Sequence, residues 1–409
     1  MTEGGAAELE VLLHGNRVGT LRMSGTQEAI RFDFTNSYLA RAPRPVLSQS
    51  FIDRPQDGVV SRQRLPPFFS NLLPEGPLRQ RIAEEVGVHE DREFHLLARL
   101  GDDLPGAVAV RGQPASRHDL AAATTAIAVN GAEFRFSLAG VQLKLSALKT
   151  ERGLTVPASG RGGRWIVKLP DSRFPEVPAN EAGTLLWARR AGIDVPDFEL
   201  VEIDRIEGIP LRWGRHSEPR ALCVRRFDRE DDGTRVHCED LAQALGAPPS
   251  EKYHGNYETV ARLLMALCGP LAVERLVRRL VFHIACGNFD GHLKNWGILY
   301  SDRVTAALAP AYDIVSVVQY EALFPDRARS HDRLALKLNK QRYCRAFGRD
   351  AFDRLARKAG IAQATMRMWV DDMVLRTRAG WIDVRAELPW PETWKQRIEQ
   401  RWRELPMLR

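Results

Sequence analysis

The sequence predicts an α+β fold in two lobes, a β-rich N-terminal half and an all-helical C-terminal lobe. Two observations carry this reading. Up to about residue 230, apolar residues fall in short runs of strand period, punctuated by Gly, Pro and Asn. Beyond about residue 240 the apolar spacing becomes almost wholly helical, and strands grouped before helices mark α+β rather than alternating βαβ units.

Each element follows in order. Residues 8–35 (ELEVLLHGNRVGTLRM, then AIRFDF) alternate about a Gly-Asn turn and predict a hairpin. Residues 66–110 read as helix and then loop, with NLLPEG (71–76) as a turn, and RHDLAAATTAIAVNG (117–131) reads as a linker and strand into a second unit. FRFSLAGVQLKLSAL (134–148) predicts strand, small-residue turn, strand; RWIVKLP (164–170) adds a β run closed by Pro. ANEAGTLLWARRAGI (179–193) has helical spacing with an acid near its start and Gly near its end. Strands are expected at 198–204 and 221–227, then helices at 239–245, 257–268, 271–286, 350–359, 363–379 and 391–404. The expected domains are 1–115, 132–230 and 231–409.

At 409 residues, 44% hydrophobic and 27% charged, the chain is long enough for two or three domains with real cores. The acidic start MTEGGAAELE lacks the apolar stretch of a signal peptide, and the most apolar region, LLMALCGPLAVERLV (263–277), is too short and too charged to span a bilayer. A cytoplasmic protein without a membrane partner is expected. Five scattered cysteines with no CxxC pair fit a reducing compartment and argue against a disulfide framework or zinc ribbon. Residues 321–409 hold 20 Lys and Arg against 12 Asp and Glu; this basic region suits a solvated helical surface better than a nucleic-acid tail.

The stretch GNFDGHLKN (287–295) is more polar than a turn requires. Asp290 and Asn295 stand in D-x-x-x-x-N, the spacing of a phosphoryl-transfer loop in which the Asp takes a hydroxyl proton and the Asn binds Mg²⁺. A second metal-binding Asp is expected downstream after a strand pair, and Asp313 follows 23 residues later. Lys168, in a strand, suits the phosphates, and Glu181, 13 residues on, suits the ion pair that holds such a lysine. SLAGVQLK (137–144) lies where a small-residue loop would cradle phosphate with backbone N–H groups. Five elements thus stand in the chain order that this chemistry needs. His237-Cys238-Glu239 lacks the P-C-x-x-C of zinc deaminases, His283 and His292 are off the helical zinc spacing, and there is no Walker loop or nucleophile elbow.

Over nearly its whole length the sequence resembles the HipA serine/threonine protein kinase toxins. GNFDGHLKN matches their catalytic stretch GN-x-D-x-H-x-KN, and SLAGVQLK resembles S-I-A-G-A-Q-E-K. The lysine strand, Asn180-Glu181, RFDR (226–229), EDLAQALG (239–246), Tyr312-Asp313, NLLPEG and GDDLPGAV (101–108) also match. The resemblance implies a two-lobed, protein-kinase-like fold with an added N-terminal β-rich subdomain, and ATP and Mg²⁺ as cofactors. It implies Asp290 as catalytic base, Asn295 and Asp313 as metal ligands, Lys168 on the ATP phosphates with Glu181 as its partner, and Ala139, Gly140, Val141, Gln142, Leu143 and Lys144 as the phosphate loop. It makes the backbone of Arg225, Arg226 and Phe227 the adenine hinge, and lets His292, Lys294 and Tyr312 line the nucleotide site. Ser137 matches an autophosphorylated serine whose modification expels the loop and shuts the kinase off. Two positions depart from the family pattern: Leu143 and Arg225 each stand where Glu is usual. The implied partners are a helix-turn-helix antitoxin, operator DNA through that antitoxin, and a protein substrate such as an aminoacyl-tRNA synthetase, glutamyl-tRNA synthetase in particular. Two other readings stay open: a small-molecule kinase of aminoglycoside or choline type, and a non-catalytic co-regulator bridging an antitoxin and DNA.

Overall fold

The computed structural model describes residues 7–24, 29–112, 144–150, 153–156, 163–209, 218–323 and 332–409. The chain has the α+β, two-lobed architecture expected. It opens with a five-stranded antiparallel sheet, order β4-β3-β2-β1-β5, from β1 (Ala7–Leu13), β2 (Asn16–Ser24), β3 (Ala29–Phe34), β4 (Val59–Arg62) and β5 (Val108–Arg111). The first turn falls one residue earlier than the Gly-Asn reading. Both central residues, His14 (φ 49) and Gly15 (φ 77), are left-handed, as a two-residue turn matching strand twist requires. Alternation in β1 sends Leu9, Val11 and Leu13 inward onto Phe32, Phe68 and Phe69. Helices Gly76–Val86 and Glu93–Leu100 follow.

A second sheet has the order β10-β7-β6-β8-β11-β9, built from β6 (Lys144–Thr150), β7 (Gly153–Thr155), β8 (Trp165–Lys168), β9 (Phe198–Glu202), β10 (Ile206–Glu207) and β11 (Arg220–Arg225). Strand β11, next to the edge strand β9, is apolar from Ala221 to Val224 because both faces are covered. Ala221 and Cys223 join the core of the first sheet, whereas Leu222 and Val224 join the core of the helical lobe. The helix Val177–Arg190 belongs to the second core, where Trp187 meets Phe282, Trp381 and Trp402 at ring-centroid distances of 4.9, 4.8 and 5.7 Å.

The C-terminal lobe is dominated by Tyr257–Cys268, Pro270–Cys286, Asp353–Ala359, Gln363–Val384 and Glu392–Glu404, close to the expected helices. Two small ladders interrupt it: β12 (His237–Asp240), β13 (Gly297–Tyr300) and β14 (Ala307–Leu308), then β15 (Arg333–Leu338) and β16 (Gln341–Tyr343). The expected helix 239–245 is split by its own cap. Asp240 ends β12 and accepts from Gln243 N–H at 2.8 Å, while Gln243 Oε1 accepts from Asp240 N–H, so helix begins only at Leu241. All five cysteines are unpaired. No helix among the described residues is long and apolar enough to cross a membrane.

Two buried polar joints tie the N-terminal sheet to the rest. In the first, Asp228 accepts a bidentate pair from Arg226 (2.8 Å each), a bond from Arg229 (2.8 Å) and one from Gly106 N–H (2.8 Å), while Arg229 also donates to Gly106 O and Leu104 O. Gly106 has φ 68, and a Cβ there would lie 2.7 Å from Cys238 N, so the close approach needs glycine. Burial opposes ionisation of Asp228, but the two guanidinium charges outweigh it and hold the carboxyl well below its ordinary range. In the second joint, Glu239 accepts from Ser48 Oγ (2.6 Å), Gln49 N–H (3.0 Å) and Tyr300 Oη (2.5 Å). Burial lifts its carboxyl to about 7 against those bonds.

Asp228→Ala leaves two buried guanidinium groups to share the Asp103 carboxylate at 3.5 and 3.3 Å and is expected to cost about 3–5 kcal/mol in urea unfolding; a loss under about 1 kcal/mol would contradict a structural role. Glu239 supplies a pH signature. Its native pKa lies above its unfolded value, so its contribution is full below pH 4.5 and is lost as pH rises through about 7. Urea midpoints measured on either side of that window should therefore fall more for the wild type than for Glu239→Gln, and parallel curves would refute the assignment.

Candidate active site

Lys168 ends β8, whose alternation buries Val167 and turns the lysine into the cleft between the lobes. The following helix brings Glu181 to it: Lys168 Nζ lies 2.5 Å from Glu181 Oε1, and it also donates to Asp313 Oδ1. Burial alone would depress the ammonium; the Asp313 and Glu181 carboxylates outweigh that and hold it above its ordinary range. Asp313 follows the β13–β14 pair and has φ 53, a left-handed conformation, with no helix beginning at it. Asn180, to which sequence reasoning gave no role, fixes the segment behind it. Its amide exchanges hydrogen bonds with Ser316, N–H to Oδ1 at 2.8 Å and Nδ2 to O at 3.1 Å.

Much of the polarity of GNFDGHLKN holds the loop itself. Asn288 Oδ1 accepts from Asp290 N–H (3.1 Å), and Asn295 Nδ2 donates to Asp290 O (2.8 Å). Gly291 O accepts from Tyr257 Oη (3.0 Å) and Trp296 Nε1 (3.1 Å). The Asp290 carboxylate faces outward and accepts from Tyr253 Oη at 2.5 Å. Asn295 Oδ1 has no partner among the described residues and is available as a ligand. His292 is buried edge-on to Tyr253, and burial lowers its pKa to about 4, so it stands neutral.

Lys294 is committed to the N-terminal region. It pairs with Glu75 Oε1 (2.8 Å) and donates to Asn71 O (3.2 Å), while Lys252 pairs with Glu75 Oε2 (2.5 Å). Burial would raise the Glu75 carboxyl, but the Lys294 and Lys252 charges bring it down to about 2. NLLPEG, read from sequence as a turn, is therefore also a brace for the loop that bears Asp290. Tyr312 Oη donates to Lys294 O (2.9 Å), and its ring lies 5.4 Å from that of Phe227.

The cleft encloses about 880 Å³ of space counted out into the open solvent at its mouth. Ile166, Val224, Phe227 and Tyr312 provide apolar and aromatic lining, and Lys168 and Asp313 are its charged pair. Arg225, Arg226 and Lys294 also line it, whereas Glu181, Asp290, His292 and Asn295 do not. The His292 ring packs edge-on against Tyr253. At the expected hinge, Arg225 N–H donates to Asp197 O (2.7 Å) and Arg226 N–H to Arg164 O (2.8 Å). The Phe227 N–H has no acceptor among the described residues and remains to donate. Lys144 begins β6, in register with Lys168 across the ladder. Ser137, Ala139, Gly140, Val141, Gln142 and Leu143 lie outside the described residues. Among the described residues no group of three or more His, Cys, Asp or Glu could hold a metal ion.

A family model for the HipA-like C-terminal domain matches residues 136–381, and one for the HipA N-terminal domain matches residues 9–111. The chain is 41% identical over 394 residues to the Sinorhizobium fredii protein Y4dM, which carries a provisional kinase designation, covering 93% of each chain. It is 26% identical over 349 residues to the serine/threonine-protein kinase toxin HipA of Shewanella oneidensis, covering 76% of each. It also resembles a chain solved in the complex of Shewanella oneidensis HipA, HipB and operator DNA, with a TM-score of 0.71 at 22% identity over 97% of this chain and 96% of that one, a likeness of fold. With both family models matched in chain order and a relative at 41% identity along almost the whole length, this protein belongs to the HipA family.

Proposed function

We propose that this chain is an ATP- and Mg²⁺-dependent serine/threonine protein kinase, the toxin of a toxin–antitoxin module. The observation that carries the reading is the buried Lys168 ammonium gripped by Glu181 and Asp313, in a cleft that Lys294, from the loop bearing Asp290, also lines. When bound, ATP supplies the phosphoryl group and Mg²⁺ neutralises its charge. Lys168 steers the phosphates, with Glu181 holding it in place. Asn295 Oδ1 and the Asp313 carboxylate are hard oxygen donors suited to Mg²⁺, and one amide with one carboxylate is the protein share such an ion needs when phosphates complete its shell. Phe227 N–H and the Phe227 and Tyr312 rings receive the base. Asp290 orients the acceptor hydroxyl and takes its proton as the phosphoryl group transfers.

The proposed substrate is a protein of translation, an aminoacyl-tRNA synthetase such as glutamyl-tRNA synthetase, whose phosphorylation arrests growth. A helix-turn-helix antitoxin bound to operator DNA is the proposed partner, in keeping with the HipB and operator DNA named with the Shewanella chain. Autophosphorylation at Ser137 is proposed to switch the enzyme off by adding about −1.5 to −2 charges beside the phosphate site.

Asp290→Asn is expected to lower phosphoryl transfer by about 10²–10⁴-fold while leaving ATP binding intact; transfer from γ-labelled ATP at the wild-type rate would sink the reading. Asn295→Ala and Asp313→Ala should weaken Mg²⁺·ATP more than ATP alone in calorimetry, because each removes a metal ligand. Equal losses with and without Mg²⁺ would make both residues structural. Expression of the chain without its antitoxin should arrest growth and Lys168→Ala should relieve the arrest; an equally toxic Lys168→Ala protein would separate toxicity from kinase activity.

A further inference from the structure

We infer that Tyr253 is a positioning residue for Asp290, setting which carboxylate oxygen faces the acceptor hydroxyl. The inference rests on the reading of Asp290 as the catalytic base.

The backbone of Asp290 is fixed, but its side chain is not fixed by the loop. Asn288 and Asn295 hold its N–H and O, and the carboxylate projects outward from an exposed position. An aspartate so placed can rotate about its side-chain bonds, and a misdirected base loses much of its advantage. Among the described residues, the one side chain that bonds this carboxylate is Tyr253, whose Oη–H donates to Oδ1 at 2.5 Å. With Oδ1 taken by a donor, Oδ2 is the oxygen left to receive a proton.

Tyr253 is built to stay there. Leu293 N–H, inside the catalytic loop, donates to Lys252 O (3.0 Å), so the tyrosine's own strand of chain is stitched to the loop it serves. On the other side Arg342 Nη2 donates to Tyr253 O (2.8 Å). The ring meets His292 edge-on at 5.0 Å, and Lys252 Nζ lies 5.5 Å from its centroid while bound to Glu75. Burial, and then the Asp290 charge and hydrogen bond, hold the phenol above its ordinary range, so it remains a donor at neutral pH. The chain from NLLPEG through Lys252 to Tyr253 therefore ends on the catalytic carboxylate.

An opposite role has the same starting geometry: the phenol could sit where the acceptor hydroxyl must go and act as a plug. The anchoring on both flanks favours positioning, and the two roles predict opposite signs. The experiment uses the full-length chain with γ-labelled ATP, reading autophosphorylation and labelling of dephosphorylated casein. Tyr253→Phe removes only the hydroxyl. It is expected to lower kcat by about 10- to 100-fold, with the KM and Kd for ATP and the melting temperature unchanged. In an Asp290→Asn background the same change should cost nothing further, because the two groups act as one unit. A Tyr253→Phe enzyme with wild-type or higher kcat, a lower KM for casein, or an equal added loss without the Asp290 carboxylate would overturn the inference. If Tyr253→Phe is fully active while Asp290→Asn is inactive, the inference alone falls. If wild type and Asp290→Asn label equally, the reading of the base falls and takes the inference with it.

Discussion

The site depends on one buried cation. Lys168 carries its ammonium almost out of water, which is tolerable only because two carboxylates meet it there. Those carboxylates come from different places. Glu181 lies one turn into the helix that follows the lysine strand, and Asp313 comes from beyond the helical pair and the β13–β14 ladder. Satisfying the charge therefore fixes the strand, the helix and the Asp313 segment relative to one another. Asn180 repeats the constraint one residue away through Ser316.

A second constraint acts on the Asp290 loop from the N-terminal unit. The N-terminal sheet and the second sheet share a core through alternate residues of β11, and the Arg226–Asp228–Arg229 joint locks GDDLPG against RFDR. From that platform Glu75 reaches Lys252 and Lys294. The added N-terminal unit is thus part of the wall of the site, and the loop bearing Asp290 is held on one side by its own asparagines and on the other by NLLPEG.

What could be read in the sequence was local in period or fixed in spacing. Alternation gave the first hairpin and the lysine strand, helical spacing gave the helices on both sides of the loop, and D-x-x-x-x-N pointed to the turn that now presents Asp290. The contact of Lys168 with Glu181 was expected from the phosphoryl-transfer pattern of a strand lysine paired with a glutamate on the next helix. Other features were hidden because they join distant segments. Glu75 is far from Lys294 in sequence, and nothing periodic in NLLPEG announces a buried salt bridge. Tyr253 sat in a short polar connection with no motif of its own. Asp240 misled because its carboxylate caps a helix whose preceding residues pair as a strand, and a cap residue carries the same apolar neighbours in either case. His292 was placed in the nucleotide site by resemblance, and its edge-on packing against Tyr253 was not legible in the sequence.

The central claim is that Lys168, Asp313 and Asn295 form one phosphate- and metal-binding unit. The most direct test is a structure determined with a non-hydrolysable ATP analogue and Mg²⁺. The account predicts the analogue in the cleft, Lys168 Nζ turned from Asp313 to phosphate oxygens while still paired with Glu181, and Asn295 Oδ1 and an Asp313 oxygen at about 2.1 Å from the ion. An analogue bound elsewhere, or one seated in the cleft with Lys168 still on Asp313 and no ion between Asn295 and Asp313, would contradict it.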